Sequence, residues 1–303
     1  MQDLSRKRYE CRKHIKSVRW LIFWVVLARF AAQVLLAACL SFSEKVPHEY
    51  VRSAIIEVLA VGVPIVVYAR SLRRDLKGEN PKTELSFNKT SFWLLLISVI
   101  IGFSGQFVMM LLNIPANLFI TEILKKDSVD AIPLAMNISE LALGFLTMAV
   151  IPAVLEEFWL RGIVFGAYNR GSTVAAAVFT TLIFAFVHNS VSNFLGFLFM
   201  GAYLAAVLIK TRSVYAAMLC HAANNAAALL FGFMLTGLLE RLTAVFILAA
   251  VVFAVSIWLL FKFGTKPKVV KEMKAGKLIF GSIFSLPVVL SVAVEVLRYF
   301  MFK

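Results

Sequence analysis

Apolar positions in this chain fall into long unbroken runs. Thr90 to Thr121, Asn189 to Ile209, Leu242 to Phe261 and Leu278 to Val294 each run for a helix length or more without a charge. A membrane-spanning barrel would instead show alternating segments of about ten residues, whereas about 20 consecutive apolar residues make one transmembrane helix. The pattern predicts helices over Trp20–Leu40, Ala54–Ala69, Phe92–Leu112, Ile138–Leu155 extending to about Tyr168, Thr173–Val187, Phe194–Ile209, Val214–Met234, Leu242–Phe261 and Leu278–Phe300. The expected fold class is an all-α, polytopic transmembrane bundle of about eight or nine spans. The polar stretch from Arg70 to Ser91 is too short to fold alone, so any function must lie within or between the helices.

Composition sharpens this. The 303 residues are 61% hydrophobic and 16% charged, against roughly 45–50% and 25% for a soluble chain, which excludes an ordinary soluble domain. A net charge of +14 would suggest nucleic acid in a soluble protein, but here no nucleic-acid partner is expected, because the basic residues follow the loops. Of the 31 Lys and Arg, 23 lie on the segments that share a side with the N-terminus, which predicts a cytoplasmic N-terminus. The basic start followed by Leu36-Ala37-Ala38-Cys39 resembles a lipoprotein cleavage box. The length of the apolar run and the Arg29 within it fit a first span better. Cys11, Cys39 and Cys220 form neither a disulfide framework nor a spaced metal motif.

An ionisable side chain at the centre of a span costs about 2.5–3.5 kcal/mol on insertion scales, so each calls for a reason. Arg29 and Glu57 lie on consecutive spans and could pair; they, Glu140 and Glu295 read as structural. Glu156 and Glu157 differ, being adjacent carboxylates inside a long helix that follows Pro152. Glu157 and Arg161 are four apart in the acid-before-base order that favours an ion pair, while Glu156 is turned about 100° away and left to face something else. Pro152 would free the Met148 carbonyl. Across the turn near Arg170 and Gly171, Glu156 and His188 lie about 21 and 25 Å along their antiparallel helices at about 1.5 Å per residue, hence at similar depth. His221 and Asn225, four apart, project from one helical face.

These residues carry a family resemblance. Glu156-Glu157-Phe-Trp-Leu-Arg161, Phe184-Ala-Phe-Val-His188 and His221-Ala-Ala-Asn-Asn225 resemble the ordered motifs E-E-x-x-x-R, F-x-x-x-H and H-x-x-x-N of the CPBP intramembrane endopeptidases, the group (also called the ABI family) that includes type II CAAX prenyl proteases. The resemblance covers roughly residues 138–235. It implies a catalytic core there, preceded by an N-terminal membrane region over 1–137 and followed by C-terminal spans over 236–303.

What the resemblance implies is a glutamate-dependent membrane protease acting on a membrane-associated or prenylated peptide, in the plasma membrane of a bacterium. Glu156 would be the general base for water, His188 would help hold that water, and His221 with Asn225 would donate to the oxyanion. Glu157 and Arg161 would support them from behind. No cofactor is required by this scheme, although Glu156, His188 and His221 plus water make an ordinary zinc set; the helical H-E-x-x-H signature is absent. Cys220 is a poor nucleophile for His221, since neighbours one apart do not face each other on a helix. Two other classes remain open at this stage. One is a noncatalytic scaffold or bacteriocin-immunity protein of the same fold; the other is a proton-coupled transporter, for which neither repeats nor paired broken helices are evident.

Overall fold

The computed structural model describes residues 2–41, 48–75, 86–123, 137–234, 242–266 and 269–302. Among these the chain is helical, in the order α1 (Gln2–Ser41), α2 (49–75), α3 (Phe92–Ile123), α4 (Ile138–Asn169), α5 (Thr173–Val187), α6 (Phe194–Thr211), α7 (Val214–Met234), α8 (Leu242–Phe263), α9 (Ala275–Ile283) and α10 (Leu286–Phe302). Extended pairing is limited, among the described residues, to the isolated bridges Phe87–Ser213 and Ser172–Lys271, which tie connecting segments together. The protein is a polytopic α-helical membrane protein.

Among the described residues, seven helices are long and apolar enough to cross a bilayer, or eight if the bent pair α9–α10 is one span. A tally of nine includes α5, whose 15 residues extend only about 22 Å at 1.5 Å per residue, short of a hydrocarbon core about 30 Å thick. The segment expected as one span from Leu278 to Phe300 is two helices meeting at 52°. Likewise α1 begins at Gln2 rather than near Trp20. The hydrophobic pattern marks where lipid can touch, not where a helix starts. Large apolar side chains such as Trp24, Trp93, Ile123, Trp258 and Phe280 remain exposed on the bundle surface, as a protein solvated by lipid requires.

The centre of the bundle is α4. Helix α7 packs on it, while α1 and α2 also reach it, and α1 in turn packs along α10. Helices α3 and α7 approach closely at Gly102, where a Cβ would collide with the Cys220 carbonyl. Small residues at such crossings let membrane helices meet without a hydrophobic driving force. Two wide, π-type turns, Phe145–Val150 and Phe158–Val164, bracket the α-helical stretch Ile151–Glu157. The first of them is next to Pro152. The proline has no N–H to give, and just before it the Ile151 N–H reaches back five residues to the Leu146 carbonyl. Such turns inside helices recur at functional sites.

Candidate active site

The bracketed stretch aims its two glutamates about 100° apart, as the helical step requires. Glu157 and Arg161 are fully buried, and Arg161 Nη1 donates to Glu157 Oε1 at 2.9 Å. Arg161 is further held by the Gly201 carbonyl at 3.2 Å and by the face of Phe184, 4.7 Å from its guanidinium carbon. The same Glu157 Oε1 also receives His221 Nδ1 at 2.9 Å. A carboxylate cannot donate, so the His221 proton sits on Nδ1. Nε2 is then an acceptor in the neutral ring and a donor only in the imidazolium.

Glu156 is turned away from these partners, 4% exposed. Its Oε2 accepts no hydrogen bond from any described residue and lies 3.8 Å from His188 Nε2. The position of His188 follows from local sequence. Helix α5 starts at Ser172, whose Oγ caps the Ala175 N–H at 3.2 Å, and stops at His188 because Asn189 takes the left-handed conformation with φ 52°. Asparagine tolerates that conformation better than most residues. One turn back, the Phe184 carbonyl accepts from His188 Nδ1 at 2.6 Å. That bond fixes the proton on Nδ1 and turns Nε2, in the neutral ring, into an acceptor facing Glu156. Phe197 stacks on the imidazole with ring centroids 3.9 Å apart. The F-x-x-x-H spacing therefore has a mechanical meaning: Phe184 orients His188 through its carbonyl and supports Arg161 through its ring.

On α7, His221 stands level with Glu157, and Asn225 stands one turn further on. The Asn225 Nδ2 donates to the Met148 carbonyl at 3.1 Å, the carbonyl to which residue 152 would donate in an unbroken α-helix. One amide hydrogen of Asn225 is thus engaged in repairing the proline break, and one remains. Its neighbour Asn224 is fixed by Tyr203, whose hydroxyl donates to Oδ1 at 2.6 Å, and by Gln106 Oε1, which accepts from Nδ2 at 2.9 Å. That pair of bonds sets the rotation of α7. As to metal, no group of three His, Cys, Asp or Glu side chains is arranged as ligands among the described residues. Glu156 and His188 face each other, whereas His221 is bound through Nδ1 to the neighbouring Glu157, and both imidazoles lie against the Phe184 ring.

Four charged residues gather around the Glu156–His188 pair, and three of them, Arg29, Glu57 and Glu295, read as structural from the sequence. Arg29 Nη2 contacts Glu57 Oε2 at 2.7 Å and Glu156 Oε1 at 3.5 Å, while its Nη1 donates to the Val187 carbonyl at 3.1 Å. From α10, Arg298 donates to that same carbonyl at 3.1 Å and pairs with Glu295 at 2.8 Å. The Glu295 carbonyl receives Asn189 Nδ2 at 3.2 Å. The expected pairing of Arg29 with Glu57 is present; its reach to Glu156 is what the sequence reading missed. The one signal available was the insertion cost of an arginine in the middle of α1. Glu140 is different, lying at the start of α4 beside Asn137, which caps the helix and donates to its carboxylate at 3.0 Å.

Comparison with known families gives this arrangement a context. Residues 138–227 match the family model described as type II CAAX prenyl endopeptidase Rce1-like. This stretch belongs to the Rce1-like family. No curated protein matches the chain. The matched stretch, which contains Glu156, Glu157, Arg161, His188, His221 and Asn225, is similar to a family of prenyl endopeptidases. Arg29, Glu57, Glu295 and Arg298 lie outside the Rce1-like region, on α1, α2 and α10.

Proposed function

We propose that the protein is an intramembrane endopeptidase in which Glu156 activates water against a peptide bond of a membrane-associated or lipid-modified substrate. The observation that carries this is the Glu156–His188 pair: a buried carboxylate oxygen and an acceptor-facing imidazole nitrogen 3.8 Å apart. A water about 2.8 Å from each atom would donate one hydrogen to Oε2 and the other to Nε2, leaving a lone pair to attack a carbonyl carbon. As the C–O bond forms, the water proton passes to Glu156. Nearby donors would hold the carbonyl oxygen as it becomes an oxyanion, which is worth a few kcal/mol per donor. The candidates are the free amide hydrogen of Asn225 and His221 Nε2 in the imidazolium form. Collapse breaks the C–N bond, and the proton held by Glu156 leaves with the amine. The carboxylate is thereby restored.

Within this reading the substrate is a peptide near its lipid anchor, as the family description suggests. The N-terminus faces the cytoplasm, supported by the loop distribution of Lys and Arg. Two tests bear directly on it. Purified protein should cleave a farnesylated peptide ending in a CAAX sequence, and Glu156→Gln should lose that activity while remaining folded. Exhaustive chelation should leave the wild type active. Cleavage that survives Glu156→Gln would refute the water-base assignment, and metal-reversible inactivation would replace it with a metal mechanism. No turnover of lipidated or plain peptides would favour a noncatalytic scaffold.

A further inference from the structure

Arg29 touches Glu156 directly and binds the Val187 carbonyl, one residue before His188. Arg29 is 8% exposed within a membrane span, and it divides its donors among three elements. Nη2 touches Glu57 of α2 at 2.7 Å and Glu156 of α4 at 3.5 Å, and Nη1 binds the Val187 carbonyl of α5 at 3.1 Å. The Val187 carbonyl belongs to the last turn of α5, where carbonyls lack helical partners and carry the negative end of the helix dipole. Arg298 approaches it from α10. The residue after that carbonyl is His188.

A purely structural Arg–Glu pair in this position has little to recommend it. Two charges removed from water recover their desolvation cost poorly, and apolar residues of similar size often serve as well or better. A planar fork with five donors, by contrast, suits a site that must fix several acceptors in one geometry. Glu57 neutralises Arg29 and holds it at 2.7 Å; the longer contact to Oε1 of Glu156 restrains that carboxylate and leaves Oε2 toward His188.

We propose that Arg29, anchored by Glu57, is a positioning residue for the Glu156–His188 pair, so that α1 and α2, outside the family-matched region, complete the active site. The proposal rests on the reading of Glu156 as the base. In the full-length protein, the double variant Arg29→Met/Glu57→Leu removes both charges together and should still fold. Its kcat on a farnesylated CAAX peptide should fall by about 10²-fold, the scale of a 1 Å misplacement, with KM little changed, because neither residue is assigned to substrate binding. Arg29→Lys keeps the charge but not the fork, and should lose turnover as well. A double variant with wild-type kcat, or full rescue by lysine, would overturn the proposal.

A second measurement does not depend on turnover. Melting temperatures of Arg29→Lys, Glu156→Gln and the combination should depart from additivity by about 2 °C or more, since contacting residues couple and distant ones add. Additive shifts would overturn the proposal even if no peptide were cleaved. Conversely, activity surviving in Glu156→Gln would remove the base assignment while leaving the Arg29 contact to be judged by this cycle.

Discussion

Glu157→Gln is the most informative single perturbation of the buried half of the site. The carboxylate accepts from two donors through one oxygen, Arg161 Nη1 and His221 Nδ1, both at 2.9 Å, and neither Glu157 nor Arg161 has any solvent exposure. An amide keeps one acceptor oxygen but removes the charge and puts an NH2 donor where the unpartnered Oε2 stood. Removing one partner of a buried ion pair costs about 3–5 kcal/mol, because the other charge stays buried without compensation. Arg161 retains the Gly201 carbonyl and the Phe184 ring, which places the expected cost toward the lower end. For a chain of this size, each 1 kcal/mol shifts Tm by roughly 2–4 °C, so a loss of about 6–12 °C is expected. The assay is thermal unfolding of the purified protein in detergent, followed by the loss of the monodisperse peak in size-exclusion chromatography. The comparison is Glu157→Gln/Arg161→Met, in which both charges leave together. That variant should recover much of the lost Tm, but not turnover, because His221 then faces a neutral amide oxygen instead of a carboxylate. A Glu157→Gln protein that melts within 2 °C of wild type would refute this account of the buried pair.

The remaining expectations are narrower. Glu156→Gln should abolish peptide cleavage with Tm nearly unchanged, measured on the same preparation; the contact it weakens, to Arg29 at 3.5 Å, is the longer of the Arg29 ion pairs. Asn225→Ala should lower kcat by about 10²–10³ if it is an oxyanion donor, whereas a role confined to satisfying Met148 would appear as lost Tm with kcat intact. Gly102→Val should prevent α3 and α7 from closing and reduce the yield of folded protein; normal yield and Tm would contradict the packing described here.

How much of this was legible in the sequence depended on whether an interaction was local. The Glu157–Arg161 pair follows from four-residue spacing, and the similar depth of Glu156 and His188 follows from counting helical rise across one turn. Apolar runs gave the membrane helices, but not the Gln2 start of α1 or the bend between α9 and α10. Those depend on polar residues that remain helical beyond the lipid and on a break at Phe284 and Ser285. The bond between His221 and Glu157 joins residues 64 apart. Nothing in either motif says which glutamate the histidine meets, and the assignment of His221 as a simple donor overlooked it. Arg29 was visible as an expensive residue. Its partners were not, because Glu156 is 127 positions away and helix phase alone does not say which spans are neighbours.

The distribution of charge across α4 then explains why the adjacent glutamates need not compete for one role. Glu157, without solvent exposure, is held through Oε1 by both Arg161 and His221, while its Oε2, like that of Glu156, accepts no hydrogen bond from any described residue. Glu156 faces Arg29 on its Oε1 and leaves Oε2 without a hydrogen bond from any described residue. A single helical step of about 100° separates them, so one residue can carry the fold while its neighbour carries the chemistry. Exchanging the two environments by sequence alone would require rotating α4, which the Met148–Asn225 bond and the Glu157–His221 bond both oppose. The proline break therefore does more than widen a turn. By leaving the Met148 carbonyl for a side chain of α7, Pro152 helps lock the rotation that keeps Glu156 pointed at His188. Accordingly, Pro152→Ala, which restores the N–H for that carbonyl, should release Asn225 and lower kcat more than it lowers Tm. An unchanged kcat in that variant would show that the bracketing turns, rather than the proline, hold the register.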